Sequence, residues 1–347
     1  MRTKSAFAVD RSVQAIGDTV KAAWWGAAGL AARSIARTGR TAPAEATPTA
    51  EPAPEGFVRG SWQEAFEKDQ RDVAEGLYPP ANDAPANPAI AIANLLDLVR
   101  DAREVEQRRA RGGGADVRVE ELSGAYPPYY RQNFHFQTGG WFTEDSARRY
   151  EAQVEALFAG AAGAMRRRAL SLLARAWRER DHRDLRLADI ACGSGAFLRD
   201  LKRTFPRARL VGCDLSEVYL REARRLSGVT DLVQGSAERM PFADESLDAV
   251  SCIFLFHELP KKVRRPIAEE LARVLKPGGF LAFADSIQPA DEPRLERLLQ
   301  VFPAYFHEPY YADYATADLP ALFAEAGLEA RAHDQAFLTK AILFEKA

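Results

Sequence analysis

The chain has 347 residues, of which 47% are hydrophobic and 28% are charged, so most of it can bury a core and a wholly disordered protein is excluded. Its 47 Lys and Arg nearly balance its 49 Asp and Glu, which argues against a protein whose whole surface binds nucleic acid. Three cysteines in a chain of this length do not make a disulfide framework, so we expect a reducing, cytoplasmic setting.

The pattern of the first forty residues predicts a basic amphipathic helix. Residues 1–40 contain seven Lys or Arg and two Asp, a local net charge of +5 that leaves −7 for the rest of the chain. Apolar residues recur there at spacings of three and four, as on one side of a helix: Val13, Ile16, Val20, Trp24, Ala27, Ala31 and Ile35. We expect either a helix packed on its own domain or a peripheral contact with the inner face of a membrane. In the second case Trp24 would sit at the headgroups and the basic side chains would face anionic lipid.

The next segments predict a linker followed by a helical region. Residues 41–56 contain four Pro and no large apolar side chain, which is typical of an extended linker. Residues 57–180 are predicted to form a helical N-terminal region and lid, with a Pro-rich break at 79–88 and an aromatic, ordered loop at 126–142.

From residue 181 to residue 347 the pattern predicts a nucleotide-binding domain. Short apolar runs alternate there with helical segments, which favours a parallel sheet with helices on both faces. The predicted strands cover 185–191, 208–213, 231–234, 247–255 and 280–284.

A glycine-containing corner follows the first of these strands. Gly193 and Gly195 precede a predicted helix, and such glycines let the backbone approach a ligand closely. Asp214 ends the second strand, where a carboxylate accepts hydrogen bonds from both ribose hydroxyls of a nucleoside. A nicotinamide dinucleotide would suit this pattern, but Leu198 occupies the third glycine position of the dinucleotide motif. Asp189, ahead of the corner, suits a ligand with a positive amino group better than a pyrophosphate.

The sequence resembles the class I S-adenosylmethionine-dependent methyltransferases, in the broad group that includes ubiquinone and menaquinone methyltransferases. Four segments carry the resemblance in order and spacing: LADIACGSG at 187–195, VGCDLS at 211–216, GSAERMPFADESLDAV at 235–250 and RVLKPGGFLAFAD at 273–285. The resemblance implies an α/β fold, a Rossmann-like, doubly wound and mostly parallel seven-stranded sheet with an α-helical N-terminal extension. It also implies S-adenosylmethionine as the cofactor.

The resemblance implies a cofactor site residue by residue. The methionine part, the ribose and the adenine would be bound in turn by Asp189, Ala191, Gly193, Ser194, Gly195, Asp214, Leu215, Ser236, Ala237 and Phe254. Two positions depart from the family pattern: Ala191 replaces a more usual glycine, and Ser236 replaces a frequent Asp that meets the adenine amino group. The Ser236 hydroxyl can accept the same hydrogen bond, but it is a neutral acceptor whereas the carboxylate is charged. We therefore expect lower cofactor affinity.

The acceptor side is predicted to begin where the fourth strand ends, at His257 and Glu258. His257 can take a proton near neutral pH, and Glu258 or Asp285 could orient its ring. His257 and Glu258 are therefore the candidate catalytic residues. The alternative is that His257 is structural.

Two aromatic segments are further candidates for the acceptor side. His135 and Gln137 belong to a segment expected to cover the cofactor or to brace the fold. A late run is expected either to line the acceptor or to pack on the sheet: Tyr305, His307, Tyr310, Tyr311 and Tyr314.

These features predict an enzyme that transfers a methyl group from S-adenosylmethionine to a small molecule, with a lipid-soluble, quinone-like acceptor favoured by the N-terminal helix. An NAD-dependent oxidoreductase and a non-catalytic S-adenosylmethionine-binding protein are the alternatives. A nucleic-acid acceptor is not expected, because the catalytic part is acidic and would repel phosphate. No metal is expected either, because no Asp, Glu or His cluster has the spacing of metal ligands.

Overall fold

The computed structural model describes residues 11–36, 48–83, 88–111 and 126–347. The helices are α1 (Arg11–Ala36), α2 (Phe57–Ala74), α3 (Pro88–Ala110), α4 (Glu144–Leu157), α5 (Ala162–Ala176), α6 (Ala196–Thr204), α7 (Glu217–Ser227), α8 (Lys261–Val274), α9 (Glu296–Phe306), α10 (Tyr311–Ala315) and α11 (Leu319–Glu325). The strands are β1 (Arg186–Ile190), β2 (Arg209–Asp214), β3 (Leu232–Gln234), β4 (Leu247–Ile253), β5 (Leu275–Ser286), β6 (Leu328–Ala336) and β7 (Thr339–Lys346).

The strands form one seven-stranded sheet in the order β3-β2-β1-β4-β5-β7-β6. Strands β1 to β5 pair in parallel, and β7 runs antiparallel to both of its neighbours. This confirms the predicted doubly wound, mostly parallel sheet. The strand order reverses between β1 and β4, and ligands of such sheets bind beyond the carboxyl ends of the strands at that point.

Local sequence explains why these elements form. Strand β4 is buried along nearly its whole length, as expected for a strand covered by helices on both faces. Ser216 caps the start of α7, where its Oγ accepts a hydrogen bond from the Tyr219 N–H at 3.3 Å, and Gly228 in the left-handed conformation caps its end. The cap therefore fixes the chain directly after Asp214, at the edge where a ligand would bind.

Helix α5 joins the N-terminal helices to the sheet. It packs against β5, β6 and β7, and it is buried along most of its length although it contains three consecutive arginines. The Arg167 guanidinium donates two hydrogen bonds to Asp69 of α2, at 2.7 and 2.8 Å, and one to Asp83 at 3.1 Å. Buried charges need such partners. The predicted start of the nucleotide-binding domain at residue 181 stays a prediction. Helix α5 precedes that residue and nevertheless packs on the sheet.

Helix α1 packs on the domain, but with a different face from the predicted one. Lys21, expected to face lipid, is buried, and its Nζ lies 2.7 Å from Asp83 Oδ2 and 3.5 Å from Glu155 Oε1. Trp25 is buried, whereas Ile16 and Val20 of the predicted stripe are 65% and 64% exposed. The prediction followed apolar spacing alone, whereas the face that turns inward combines Trp25 and Ala28 with the paired charge of Lys21.

Several sequence predictions fall partly outside the described residues. These are residues 1–10 and 37–40 of the basic segment, the side chains of Val13, Ala31 and Ile35, and residues 41–47 of the linker. In the described part of the linker, the Thr49 N–H donates to Gln300 of α9 at 2.9 Å. None of the described helices combines the length and apolarity needed to cross a bilayer.

Candidate functional site

The corner between β1 and α6 contains two glycines with different constraints. At Gly195, with φ of 81°, an added Cβ would lie 2.8 Å from the Ala223 Cα, so a side chain would collide with α7. At Gly193, with φ of 51°, an added Cβ would meet nothing within 4 Å. Gly195 therefore serves close helix packing, whereas Gly193 borders open space at the carboxyl ends of the strands.

Ala191, the departure from the family pattern, adopts a left-handed conformation with φ of 55°. A residue with a Cβ pays about 1–2 kcal/mol for that conformation, which glycine adopts freely. The replacement therefore stores strain at the turn, where the sequence alone showed only a small change of side chain.

Asp189 presents an unsatisfied carboxylate oxygen beside this corner. Ser251 Oγ donates to its Oδ1 at 2.6 Å, whereas its buried Oδ2 has no hydrogen-bond partner among the described residues. Burial, together with the nearby charge of Asp214, raises the pKa of Asp189 to about 7, against the hydrogen bond from Ser251 and the charge of Arg166. The group therefore favours a cationic, hydrogen-bond-donating ligand at Oδ2.

Asp214 is held at the end of β2 by backbone donors. Its Oδ2 accepts from the Gly193 N–H and its Oδ1 from the Ser216 N–H, both at 2.8 Å. Burial raises its pKa despite these hydrogen bonds. The two N–H groups fix the orientation of the carboxylate, which can still accept hydrogen bonds from hydroxyl groups.

Two adjoining cavities lie at these carboxylates. The first cavity is lined by Asp189, Ala191, Gly193, Ser194, Asp214 and Phe254, and the second by Asp214, Leu215, Ser236 and Ala237. Tyr130 and Glu258 line both. The structure thus brings together the predicted cofactor residues, except that Gly195 lines neither cavity.

The first cavity also contains a charged pair that sequence reasoning missed. Arg166 of α5 and Glu151 of α4 line it, with Arg166 Nη2 2.9 Å from Glu151 Oε2. Glu151 also accepts a 2.6 Å hydrogen bond from Ser194 Oγ. No local motif marks either residue, because both belong to helices that precede the sheet by tens of residues.

In the aromatic loop at 126–142, which was expected to cover the cofactor or to brace the fold, some side chains face the cavities and others contact the rest of the protein. Trp141 lines the first cavity and Phe134 the second, so its aromatic side chains do face the site. Its Trp141 carbonyl accepts a 2.6 Å hydrogen bond from Ser216 Oγ, which ties the segment to the start of α7. His135 and Gln137 line neither cavity, and Gln137 instead donates to Tyr219 Oη at 3.0 Å.

A third space, the inner cavity, adjoins the first and is lined by Tyr150, Phe254, His257, Glu258 and more distant apolar side chains. Tyr150, Phe254 and Glu258 line the first cavity as well. Tyr311, from the late aromatic run, reaches the inner cavity. Tyr310 and Tyr314 line none of these three cavities.

The two candidate catalytic residues have opposite proton preferences. Burial disfavours a charged His257, but the charge of Asp285, whose Oδ1 lies 2.6 Å from His257 Nδ1, outweighs burial and raises the pKa to about 10. Burial and the charge of Glu308 raise the pKa of Glu258 above its ordinary value. At neutral pH His257 is therefore a cation, and Glu258 is the group that can exchange a proton.

Three potential metal ligands converge here, although no metal site was predicted. His135, Glu258 and Glu308 each bring a ligand atom within 4.8 Å of the others. One imidazole and two carboxylates can hold a divalent cation. They come from three separate segments, so no sequence spacing could reveal them. Two of the three already contact each other, with His135 Nε2 2.7 Å from Glu308 Oε1. The expectation that the reaction needs no metal stays a prediction.

Comparison with known proteins identifies the domain that forms this site. Residues 188–283 match the family model of a methyltransferase domain. This region therefore resembles the domain of class I S-adenosylmethionine-dependent methyltransferases. The match spans β1 to β5, and it includes both carboxylates and the glycine corner between them.

Two curated methyltransferases resemble the chain over this region. A fatty-acid O-methyltransferase from Mycolicibacterium smegmatis is 35% identical over 116 residues, 33% of this chain and 42% of the relative. A demethylmenaquinone methyltransferase from Deinococcus radiodurans is 35% identical over 113 residues, 31% of this chain and 46% of the relative. The chain thus covers less than half the length of these relatives.

The chain is also similar to a solved S-adenosylmethionine-dependent methyltransferase from Aquifex aeolicus, with a TM-score of 0.37 and 18% identity over 50% of this chain and 88% of that one. The fold assignment above rests on the strand order of this chain.

The residues of the site fit the cofactor of this methyltransferase class. The unpartnered Oδ2 of Asp189 matches a positive amino group, and the Arg166 guanidinium matches a carboxylate, so both ends of an amino acid have partners. Asp214 matches ribose hydroxyls. The second cavity offers Leu215, Ala237 and Ile267 to a planar base.

Proposed function

We propose that this protein transfers a methyl group from S-adenosylmethionine to a lipid-soluble small molecule. The observation that carries the proposal is the pair of buried carboxylates, Asp189 and Asp214, that line one cavity on either side of the glycine corner. A nicotinamide dinucleotide would bring its pyrophosphate to the glycine corner beside Asp189, whose ionised carboxylate would repel it.

S-adenosylmethionine, when bound, supplies a methyl group already activated on a positive sulfur, and the transfer is an in-line displacement. The protein residues have to hold the acceptor in line and exclude water, which in well-aligned systems contributes up to roughly 7–11 kcal/mol. Tyr150 and Phe254 separate the first and inner cavities, so they would position the acceptor atom.

Glu258 is the proposed proton acceptor when the acceptor group loses a proton on methylation. Its carboxyl borders the first, second and inner cavities. His257, first considered for this role, is held as a cation by Asp285 and cannot accept a further proton. We assign His257 a positioning role, in which its charge favours the carboxylate form of Glu258.

A lipid-soluble acceptor is supported by the apolar side chains of the inner cavity, which include Leu157, Met165, Leu299 and Phe302. The curated relatives named above are methyltransferases of fatty acids and of demethylmenaquinone. The outer face of α1 offers a matching peripheral contact with a membrane. That face, the α1 ridge, presents exposed apolar side chains at spacings of three and four: Ile16, Val20, Ala23, Ala27 and Leu30.

Calorimetric titration with S-adenosylmethionine and S-adenosylhomocysteine tests the cofactor part of the proposal. We expect Asp214→Asn to weaken binding at least tenfold, about 1.4 kcal/mol, because it removes a charged acceptor of ribose hydroxyls. The matched control is Asp231→Asn, at an exposed aspartate before β3, and it should bind as the wild type does.

Absence of binding to the wild type at high micromolar cofactor would refute the proposal. Binding without transfer of labelled methyl groups to any component of a cell extract would instead support the non-catalytic alternative.

A further inference from the structure

A fourth and larger space, the outer cavity, lies between α3, α4 and α9. Its volume of about 470 Å³ falls within the usual range of small-molecule sites. Most of its wall is apolar, contributed by Ala102, Val105, Val154, Leu157, Leu298, Val301, Phe302 and Phe306. Neither the methyltransferase match nor the cofactor residues account for it, since α3 and α4 precede the matched region and α9 follows it.

The outer cavity is continuous in its walls with the candidate active site. It shares His135, Val154, Leu157, Leu298 and Phe302 with the inner cavity. The inner cavity in turn shares Tyr150, Phe254 and Glu258 with the first cavity. The spaces therefore form a series that runs from the two carboxylates, past Glu258, to the helices of the N-terminal region.

The charged groups in the wall of the outer cavity have protein partners, which for Asp101 include Arg149 at 3.5 Å and for His135 include Glu308 at 2.7 Å. Arg109 Nη1 lies 2.5 Å from Glu106 Oε2, and Gln153 Nε2 donates to Asp101 Oδ2 at 2.6 Å. Such pairs do not call for an ionic ligand, whereas the apolar wall gains free energy from burying hydrocarbon, about 0.8 kcal/mol for each methylene group. An uncharged apolar chain is the ligand that this chemistry favours.

We infer that the inner and outer cavities form one acceptor channel, in which the reacting head group of the acceptor meets Glu258 and its apolar chain lies between α3, α4 and α9. The inference rests on the proposed function and adds the site and the class of the acceptor: a molecule with a long hydrocarbon chain. The wall of the outer cavity includes Gly29 of α1, the helix that carries the α1 ridge, so the channel adjoins the helix that presents this apolar surface.

Fluorescence titration of the full-length protein with cis-parinaric acid, a long-chain fatty acid that fluoresces on burial, tests the channel. We expect saturable binding, and competition by unlabelled fatty acids that strengthens with chain length by up to about fourfold per methylene. Val105→Trp fills the outer cavity and should weaken binding of the probe at least tenfold. Gln107→Trp, at an exposed position two residues along the same helix, is the matched control and should leave binding unchanged.

Calorimetry with S-adenosylmethionine separates this inference from the proposed function. Both tryptophan variants should bind the cofactor as the wild type does, because residue 105 lies outside the first and second cavities. If Val105→Trp fails to fold, Val301→Trp fills the same cavity from α9. Probe binding that is absent in the wild type, insensitive to both filling variants or independent of chain length would overturn the channel, even where the cofactor binds. Loss of cofactor binding by the wild type would overturn the proposed function instead.

Discussion

At the scale of single residues, the chemistry depends on which of two adjacent groups holds a proton at neutral pH. The ion pair with Asp285 keeps His257 charged, and that charge opposes the burial that favours neutral Glu258. Removing the cation should therefore raise the pKa of Glu258 further.

We expect Glu258→Gln to lower the rate of methyl transfer about 10²–10⁴-fold, as loss of a proton acceptor does. His257→Gln should lower it less and should move the acid limb of the pH–rate profile to higher pH. The assay supplies each variant with tritiated S-adenosylmethionine and with an organic extract of cells that lack the protein as the source of acceptor. It measures the tritiated methyl groups transferred to the extract. His333→Gln, at an exposed histidine of β6, is the control. An unmoved acid limb in His257→Gln would show that His257 does not act through Glu258.

The residues of the site differ in how far sequence could predict them. Asp189, Gly193 and Asp214 lie within 26 residues of one another, so one strand–turn–helix–strand unit brings them together and its motif reveals them. Arg166 and Glu308 reach the site from outside the matched domain through tertiary packing. Their roles follow from what they contact, which no spacing encodes.

At the scale of elements, α1 shows that apolar spacing alone does not decide between two amphipathic faces. Apolar spacing predicted the face that includes Ile16 and Val20, whereas the face that turns inward combines Trp25 with Lys21, which is buried between Asp83 and Glu155. Sequence could not predict this, because Asp83 and Glu155 lie more than sixty residues away.

Outward exposure of the α1 ridge leads to a test of membrane contact. We expect Ile16→Glu combined with Val20→Glu to reduce co-sedimentation with anionic lipid vesicles at least fivefold, because each substitution replaces apolar area that would enter the headgroup region with a charge. Since both side chains point away from the domain, the melting temperature should stay the same. Glu64→Lys, at an exposed position of α2 away from the ridge, is the control for net charge. It changes the net charge by the same amount as the double variant, in the opposite direction. Equal sedimentation of the double variant and the wild type would remove the membrane from the proposal.

At the scale of the whole molecule, alternation of apolar strands and amphipathic helices predicted the sheet through β5. Strands β6 and β7 did not follow from that alternation, since β6 has a mixed burial pattern and pairs antiparallel at an edge. The family resemblance supplied the expectation of seven strands. Helix α9, the first of three helices inserted between β5 and β6, forms part of the wall of the outer cavity, and this insertion was expected only as an aromatic run at 305–314.

Stability of the whole chain should fall as pH rises from 5 to 7. The native pKa of Asp189, about 7, exceeds its unfolded value, so the native state holds a proton that the unfolded state has released. An acid or a histidine whose native pKa is raised contributes stability that is present at low pH and is lost as the pH passes that native pKa. His257, whose pKa is raised to about 10, extends the same trend to higher pH.

Urea unfolding of the cofactor-free protein at several pH values measures this trend. The slope is up to about 1.4 kcal/mol per pH unit for each proton concerned. Asp189→Asn should flatten it, because the amide does not titrate, whereas Asp231→Asn should keep the wild-type slope. A free energy of unfolding that stays constant or rises between pH 5 and 7 would contradict the raised pKa of the buried Asp189.

The buried ion pair of Lys21 also limits how the protein can be shortened for expression. Trimming the chain to begin at α2 would delete the ammonium group that faces Asp83 and Glu155, and it would uncover the packing partners of Trp25 on α4. Asp83 would keep its hydrogen bond from Arg167, so the deletion should cost part of the roughly 3–5 kcal/mol that is typical of a fully unpaired buried charge. A trimmed protein that loses activity would thus report damage to its interior rather than a missing lipid anchor, and only single-site changes on the solvent side of α1 can tell the two apart.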